Sequence, residues 1–150
     1  MSASKCITLV GCCREKASSI APARQLYKSQ LFKKAAGWSD RRGDEWFVIS
    51  AKHGLIKSES KLAPYDARIQ GLTQDQRAKW SADVAAQLSA LAAFYEVEQM
   101  EVTLLAGAAY TGWIDIVQPW CTVHQPLAGL QIGQRLQWLT AQAAAQKGGA

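Results

Sequence analysis

The sequence predicts an α/β fold: a single domain, residues 1–150, with a mostly parallel sheet of about four strands flanked by helices. Three observations point there. Short runs of β-branched and apolar residues alternate with longer stretches of helical periodicity. Most of the runs end in a glycine or another small residue, as strand tips that line a cleft do. No internal repeat and no linker-like segment interrupts the order β-α-β-loop-α-β-α-β-α.

The first strand, residues 5–11, is dense in β-formers and stops at Gly11-Cys12-Cys13. A polar loop, 14–19, follows. Pro22 suits a helix start, and residues 23–36 carry Leu26, Tyr27, Leu31 and Ala35 until Gly37 ends the helix. Ser29 then falls in a helix interior, where a serine needs a reason. A charged loop, 39–44, leads to the second strand, 45–50, built on Trp46-Phe47-Val48-Ile49. After Gly54 the pattern is irregular as far as Gln70, with Pro64 holding Ala63 extended.

Thr73 and Gln76 have the spacing of a capping box, and Trp80, Val84, Leu88, Leu91 and Tyr95 mark one face of a long helix. Residues 100–106 form the third strand, closed by Gly107. A helix then turns Tyr110, Trp113, Ile114 and Val117 inward as far as Pro119. Residues 121–124 read as a short fourth strand, 126–129 as a loop, and 130–146 as the last helix with Ile132, Leu136 and Leu139 inward. Residues 147–150 read as a frayed tail.

With 49% apolar and 19% charged residues, the composition is that of a globular chain. No apolar run approaches about 18 residues, which excludes a transmembrane helix. The first apolar-leaning run is too short, and too soon followed by charge, for a signal peptide, so a cytoplasmic location is expected. The four cysteines show no C-x-x-C spacing and no accompanying histidine pattern. Neither a zinc site nor a disulfide framework is expected. Walker, G-x-G-x-x-G and G-x-S-x-G motifs are absent, and no cofactor is expected.

The net charge of +5 is unevenly held. Residues 1–61 carry 12 Lys/Arg against 5 Asp/Glu, and residues 62–150 carry 5 against 7. A basic half suits an anionic partner, nucleic acid (DNA before RNA) or a nucleotide, and equally serves as a solubilising surface. No membrane partner is expected.

The tip of the second strand, Ser50-Ala51-Lys52-His53-Gly54, is the richest stretch in chemistry. Lys52 there can bind phosphate or act as a nucleophile once its pKa falls, or it can remain solvated. His53 is its neighbour. Tyr65-Asp66 follows a proline, and Asp66 is an acid/base, an ion-pair partner of Lys52, or a turn former. Cys12 and Cys13 precede the cations Arg14 and Lys16, which favour thiolate, although buried small hydrophobes fit as well. Gly11, Ser50 and Gly107 at the strand tips let a substrate approach the backbone. Most of the six tryptophans are expected in the core, leaving an exposed aromatic such as Tyr27 or Tyr110 to stack on a base.

Several stretches together resemble a bacterial and phage family of small proteins of unknown function. They are Gly-Cys-(x)3-Lys, Ala-Pro-Ala-x-x-Leu-Tyr-x-Ser-x-x-Phe, Ile-Ser-Ala-Lys-His-Gly-Leu-Ile, Ala-Pro-Tyr-Asp, Gly-Ala-Ala-Tyr and Pro-Leu-Ala-Gly-Leu-x-Ile-Gly-x-x-Leu-x-Trp-Leu, running from Gly11 to Leu139. More remotely, Ser-x-x-Gly-Leu with Pro-Tyr is similar to the YaaA peroxide-stress proteins, which are associated with DNA binding. The Cys…Lys…Tyr-x-Ser stretch is similar to the catalytic domain of archaeosine synthase, which modifies a deazaguanine base in tRNA. Neither that enzyme's accessory RNA-binding domain nor its Lys-Pro-Tyr motif is expected here. Carried over, these likenesses imply roles for Cys12, Lys16, Tyr27, Ser29, Lys52, Tyr65 and Asp66.

The expectation is an enzyme acting on a nucleobase or an N-glycosidic bond, a DNA glycosylase or a base-modifying enzyme in phage defence or DNA modification. Its catalytic set is Asp66, Lys52, Cys12 and Tyr65. Its binding set is Gly11, Lys16, Tyr27, Ser29, Ser50, His53, Gly107 and Tyr110, and no metal ligand is expected. The alternatives are a non-catalytic DNA- or RNA-binding module and a small-nucleotide hydrolase or sensor.

Overall fold

The computed structural model describes residues 4–12, 16–66 and 68–148. The expected roles of Cys13 and Arg14, and the end of the frayed tail at Gly149-Ala150, lie outside the described residues. In chain order the elements are β1 (Ser4–Gly11), β2 (Ala21–Pro22), α1 (Ala23–Leu26), α2 (Gln30–Arg42), β3 (Glu45–Ser50), β4 (Gly54–Lys57) and β5 (Lys61–Leu62). There follow α3 (Gln74–Tyr95), β6 (Gln99–Leu105), α4 (Ile114–Val117), β7 (Cys121–His124) and α5 (Ile132–Gly148).

Five strands form one sheet in the order β4-β3-β1-β6-β7, and β2 pairs with β5 in a separate two-stranded ribbon. β1 runs parallel to β3 on one side and to β6 on the other, and β7 is parallel to β6. This is the mixed α/β fold expected from the sequence, with an additional antiparallel edge strand.

Alternation along the strands sends side chains to opposite faces, and both faces are covered. Ile7, Leu9, Phe47, Ile49, Val102 and Leu104 pack with Trp80, Val84 and Leu88 of α3 and with Trp113 and Val117. Val10, Trp46, Val48 and Leu105 pack with Leu26 of α1, with Tyr27 between the two helices, with Phe32 and Ala35 of α2 and with Leu139 of α5. At roughly 25 cal/mol per Å² of apolar surface, each fully buried Ile, Leu or Phe contributes about 1.5–3 kcal/mol to holding these layers.

The structure departs from the expected elements in several places. The helix predicted over 23–36 breaks at Tyr27–Ser29. Tyr27 is extended and bridges Lys16, and Ser29 caps α2 by accepting from the Phe32 N–H at 3.1 Å. That cap is the reason a serine sits there. The helix runs past Gly37 to Arg42 and stops at Gly43 in the left-handed conformation. The segment after Gly54, expected to be irregular, opens with β4, antiparallel to β3 through Ile49↔Leu55. The helix expected before Pro119 is a 3-10 turn at Ala108–Tyr110 followed by the four residues of α4. In α5 Leu139 is buried as expected, whereas Ile132 is 65% exposed, because the helix begins only there.

The capping box forms as read: Gln76 N–H donates to the Thr73 hydroxyl at 3.1 Å and Thr73 N–H to the Gln76 amide oxygen at 2.8 Å. All six tryptophans are buried or half-buried. No helix among the described residues is long and apolar enough to cross a membrane.

Candidate functional site

The sheet reverses its winding between β1 and β6. From β1 the chain crosses one face through α2 to β3, and from β6 it crosses the other face through α4 to β7. Connections leaving neighbouring tips in opposite directions open a crevice at the carboxyl ends of the strands, where open α/β sheets take their ligands. A cleft of about 310 Å³ lies there, lined by Gly11 and Cys12 at the tip of β1, by Ala106, Gly107 and Tyr110 after β6, and by residues of several other segments.

The tips of β1 and β6 are drawn tightly together. A Cβ on Gly11 would fall 2.9 Å from that of Ala106. Strand packing alone therefore requires the glycine. One residue on, the Cys12 N–H donates to the Ile49 carbonyl at 3.1 Å and extends the parallel pairing into the cleft. The Cys12 thiol then meets the Tyr110 hydroxyl at 3.3 Å.

Lys16 reaches the cleft because the Ala17 N–H is held by the Leu26 carbonyl at 2.7 Å. Its ammonium lies 4.5 Å from the ring centre of Tyr65 and 5.7 Å from that of Tyr27, a cation–π placement. Asp66, Arg68 and Gln70 line the opposite rim. That rim is pinned to the core by Ile69, which has no exposed surface. Phe32, Leu31 and Leu127 supply an apolar wall.

Behind the cleft runs a chain of hydroxyls. Ser50, fully buried at the end of β3, accepts from the N–H groups of Lys52 at 3.2 Å and His53 at 3.3 Å. Its own proton is left to donate to the Tyr65 oxygen, 2.6 Å away. Tyr65 and Tyr27 share a second contact of 2.6 Å. The Trp80 indole N–H donates to the Ser50 carbonyl at 2.9 Å and completes the lock on this strand end.

Burial pushes the Tyr27 phenol far up and Tyr65 up to about 12, so both are neutral donors at pH 7 rather than bases. His53 is pushed down, by partial burial first and the charge of Lys52 second, and is neutral at pH 7.

Of the residues expected at the site, Gly11, Cys12, Lys16, Ser29, Asp66, Gly107 and Tyr110 line the one cleft. Tyr65, Ser50 and Tyr27 stand behind it. Tyr27 is 1% exposed and offers no open face for stacking, whereas Tyr110 lines the cleft. Lys52 and His53 line a different hollow, beside Trp80 and Gln87. Their link to the cleft is Tyr65, whose ring centre lies 5.5 Å from the Lys52 ammonium and 5.2 Å from the His53 ring. A Lys52–Asp66 pair is not among the ion pairs of the described residues.

Sequence reasoning missed Arg68, Gln70 and Arg135, all on the cleft. Arg135 sits inside the last quoted motif, at a position left open, and Arg68 two residues after Asp66. Their charge was the available signal. Among the described residues no group of three or more His, Cys, Asp or Glu could hold a metal ion.

Fold and site together define a doubly wound α/β protein with a mixed acidic, cationic and phenolic cleft at its switch point. The chain belongs to DUF6884, a family of unknown function, whose match covers residues 7–141. Neither a curated protein nor a solved structure matches it.

Proposed function

We propose that the protein is an enzyme that processes nucleobases, acting on the base or its N-glycosidic bond in a nucleotide or nucleic acid. The observation that carries this reading is the convergence in one 310 Å³ cleft of the Asp66 carboxylate, the Cys12–Tyr110 pair, three cations and an apolar wall. The volume is at the lower end of ligand pockets and suits a single nucleotide unit. A base within a duplex has to be flipped out to enter it.

In hydrolysis, the glycosidic bond breaks with its electron pair leaving on the base nitrogen, which takes up a proton. Water adds at the sugar carbon, and Asp66 accepts the water's proton and stabilises the oxocarbenium-like centre. Cys12 and the tip of β1 line the base pocket, and Tyr110 is placed to stack. Tyr65 holds Lys16 over its face and acts through that placement. The likenesses to YaaA and to archaeosine synthase support the same substrate class. Lys52, lining its own hollow, has no part in this scheme.

The test is mass spectrometry of nucleosides and free bases after incubating DNA, RNA and nucleotides with the protein. Asp66→Asn is expected to lower base release by roughly 10²–10⁴-fold while binding persists. If no substrate changes, the enzyme reading fails. The basic half of the chain then favours a second reading, a nucleic-acid-binding module, whose affinity falls steeply with salt and survives Asp66→Asn.

A further inference from the structure

We infer that the cleft seats a phosphate monoester against Arg135 and Arg68, so that its ligand is a nucleoside monophosphate; this rests on the base-handling reading above and names its substrate class. Arg135 is built for the task. Its Nε donates to the Leu130 carbonyl at 2.9 Å, which fixes the guanidinium plane and leaves both terminal nitrogens available. Nη1 lies 3.5 Å from where a Cβ on Gly107 would stand, so the fork faces the tip of β6 across the cleft. A tethered fork of this kind matches two phosphate oxygens with little ordering left to do.

The charge of the two arginines is not consumed internally. Elsewhere in the protein, Arg24 holds both Asp40 and Glu59, and Arg42 holds Asp44. Neither Arg68 nor Arg135 is in an ion pair among the described residues. The two come from separate segments, the loop after Asp66 and α5. Among the described lining residues the one carboxylate is Asp66. A phosphate monoester carries about −1.5 to −2 at pH 7 and so answers both guanidiniums, whereas a carboxylate brings one negative charge. The apolar wall of Phe32, Leu31 and Leu127 then takes the base.

Calorimetric titrations of the full chain with AMP, GMP, CMP and UMP, the matching nucleosides, and inorganic phosphate test this at about 50 mM salt. At least one monophosphate is expected to bind roughly ten- to a hundredfold more tightly than its nucleoside, as charge-assisted hydrogen bonds imply. Arg135→Gln and Arg68→Gln should each erase most of that advantage and leave nucleoside affinity within about twofold. Arg135 also holds Leu130; if its variant fails to fold, the exposed Arg68 carries the test alone. Equal affinity for nucleoside and monophosphate, no binding of any monophosphate, or an advantage that survives the folded variants overturns the phosphate seat. Inorganic phosphate binding as tightly as every monophosphate, with nucleosides inert, would keep the seat and sink the base-handling reading instead.

Discussion

The phenol oxygens of Tyr27 and Tyr65 lie 2.6 Å apart, and the Tyr65 oxygen is also 2.6 Å from that of Ser50. Tyr65 therefore joins two buried hydroxyls, one from the strand end beneath the cleft and one from the break between α1 and α2. Tyr65→Phe leaves both without this partner and should cost about 1–3 kcal/mol. Tyr27→Phe removes only one end of the chain and should cost less. The double variant should cost less than the sum of the two, since each deletes the same contact. Urea unfolding of the three variants measures the coupling; strict additivity would mean that the hydroxyls do not depend on one another.

The same burial sets the alkaline stability. Tyr65 is pushed up to about 12, Cys121 up to about 11, and Tyr27 and Tyr95 are raised as well, the last helped by its hydrogen bond to Glu45. Each group binds its proton more tightly folded than unfolded. Their contribution is whole below the ordinary thiol and phenol values of about 9 and 10 and is lost as pH rises through the folded ones. Urea midpoints should therefore decline between about pH 9 and 12. Absorbance near 295 nm should show far fewer ionised phenols at pH 11 in the native protein than in the urea-unfolded chain. Matching titration curves for the two states would refute the buried phenol pair.

Much of the fold was legible because strands β1, β3 and β6 are buried on both faces and read as continuous apolar runs. The capping box at Thr73 and Gln76 is a local signal and was equally plain. What escaped depends on partners far along the chain. The break at Tyr27 exists because Lys16 bridges it, and β4 exists because Gly54 turns the chain back along β3. Half of the site was readable from strand tips, since β1 and β6 place Cys12 and Gly107 by topology alone. Arg135 arrives from the last helix and Arg68 from a loop anchored by Ile69, contacts that no periodicity encodes. Lys52 and Asp66 are close in sequence, yet the turn after Ser50 sends Lys52 into a neighbouring hollow.

The edge strand β4 is guarded by one side chain. Gln87 accepts from the Leu55 N–H at 2.8 Å and donates to the Leu55 carbonyl at 3.2 Å, satisfying an edge that would otherwise be open to pairing. Gln87→Ala should cost about 1–3 kcal/mol and promote concentration-dependent association. Gly54, at φ +67, has space for a Cβ only 2.3 Å from the Gln87 amide oxygen. Gly54→Ala should cost about 1–2 kcal/mol for the left-handed backbone alone, and more for displacing Gln87. In the Gln87→Ala background that second cost disappears. Light scattering and urea midpoints on the single and double variants read both effects, and a Gln87→Ala protein with unchanged scattering and full stability would remove the guarding role.

Cys12 offers a direct report on occupancy of the cleft, because its thiol lies on the lining next to the Tyr110 hydroxyl. Cys6 serves as an internal control. It lies on β1 beside Glu101, outside the cleft, and its thiol is pushed up by burial first and by that carboxylate second. Cys121 is 1% exposed and inert on the same timescale. With iodoacetamide at about pH 8 and peptide mapping, Cys12 should react ahead of Cys6 and Cys121. A monophosphate at ten times its dissociation constant should slow Cys12 about tenfold by simple mass action and leave Cys6 unchanged. Equal slowing of both thiols would mean that the ligand acts by tightening the whole fold and not by sitting between the tips of β1 and β6.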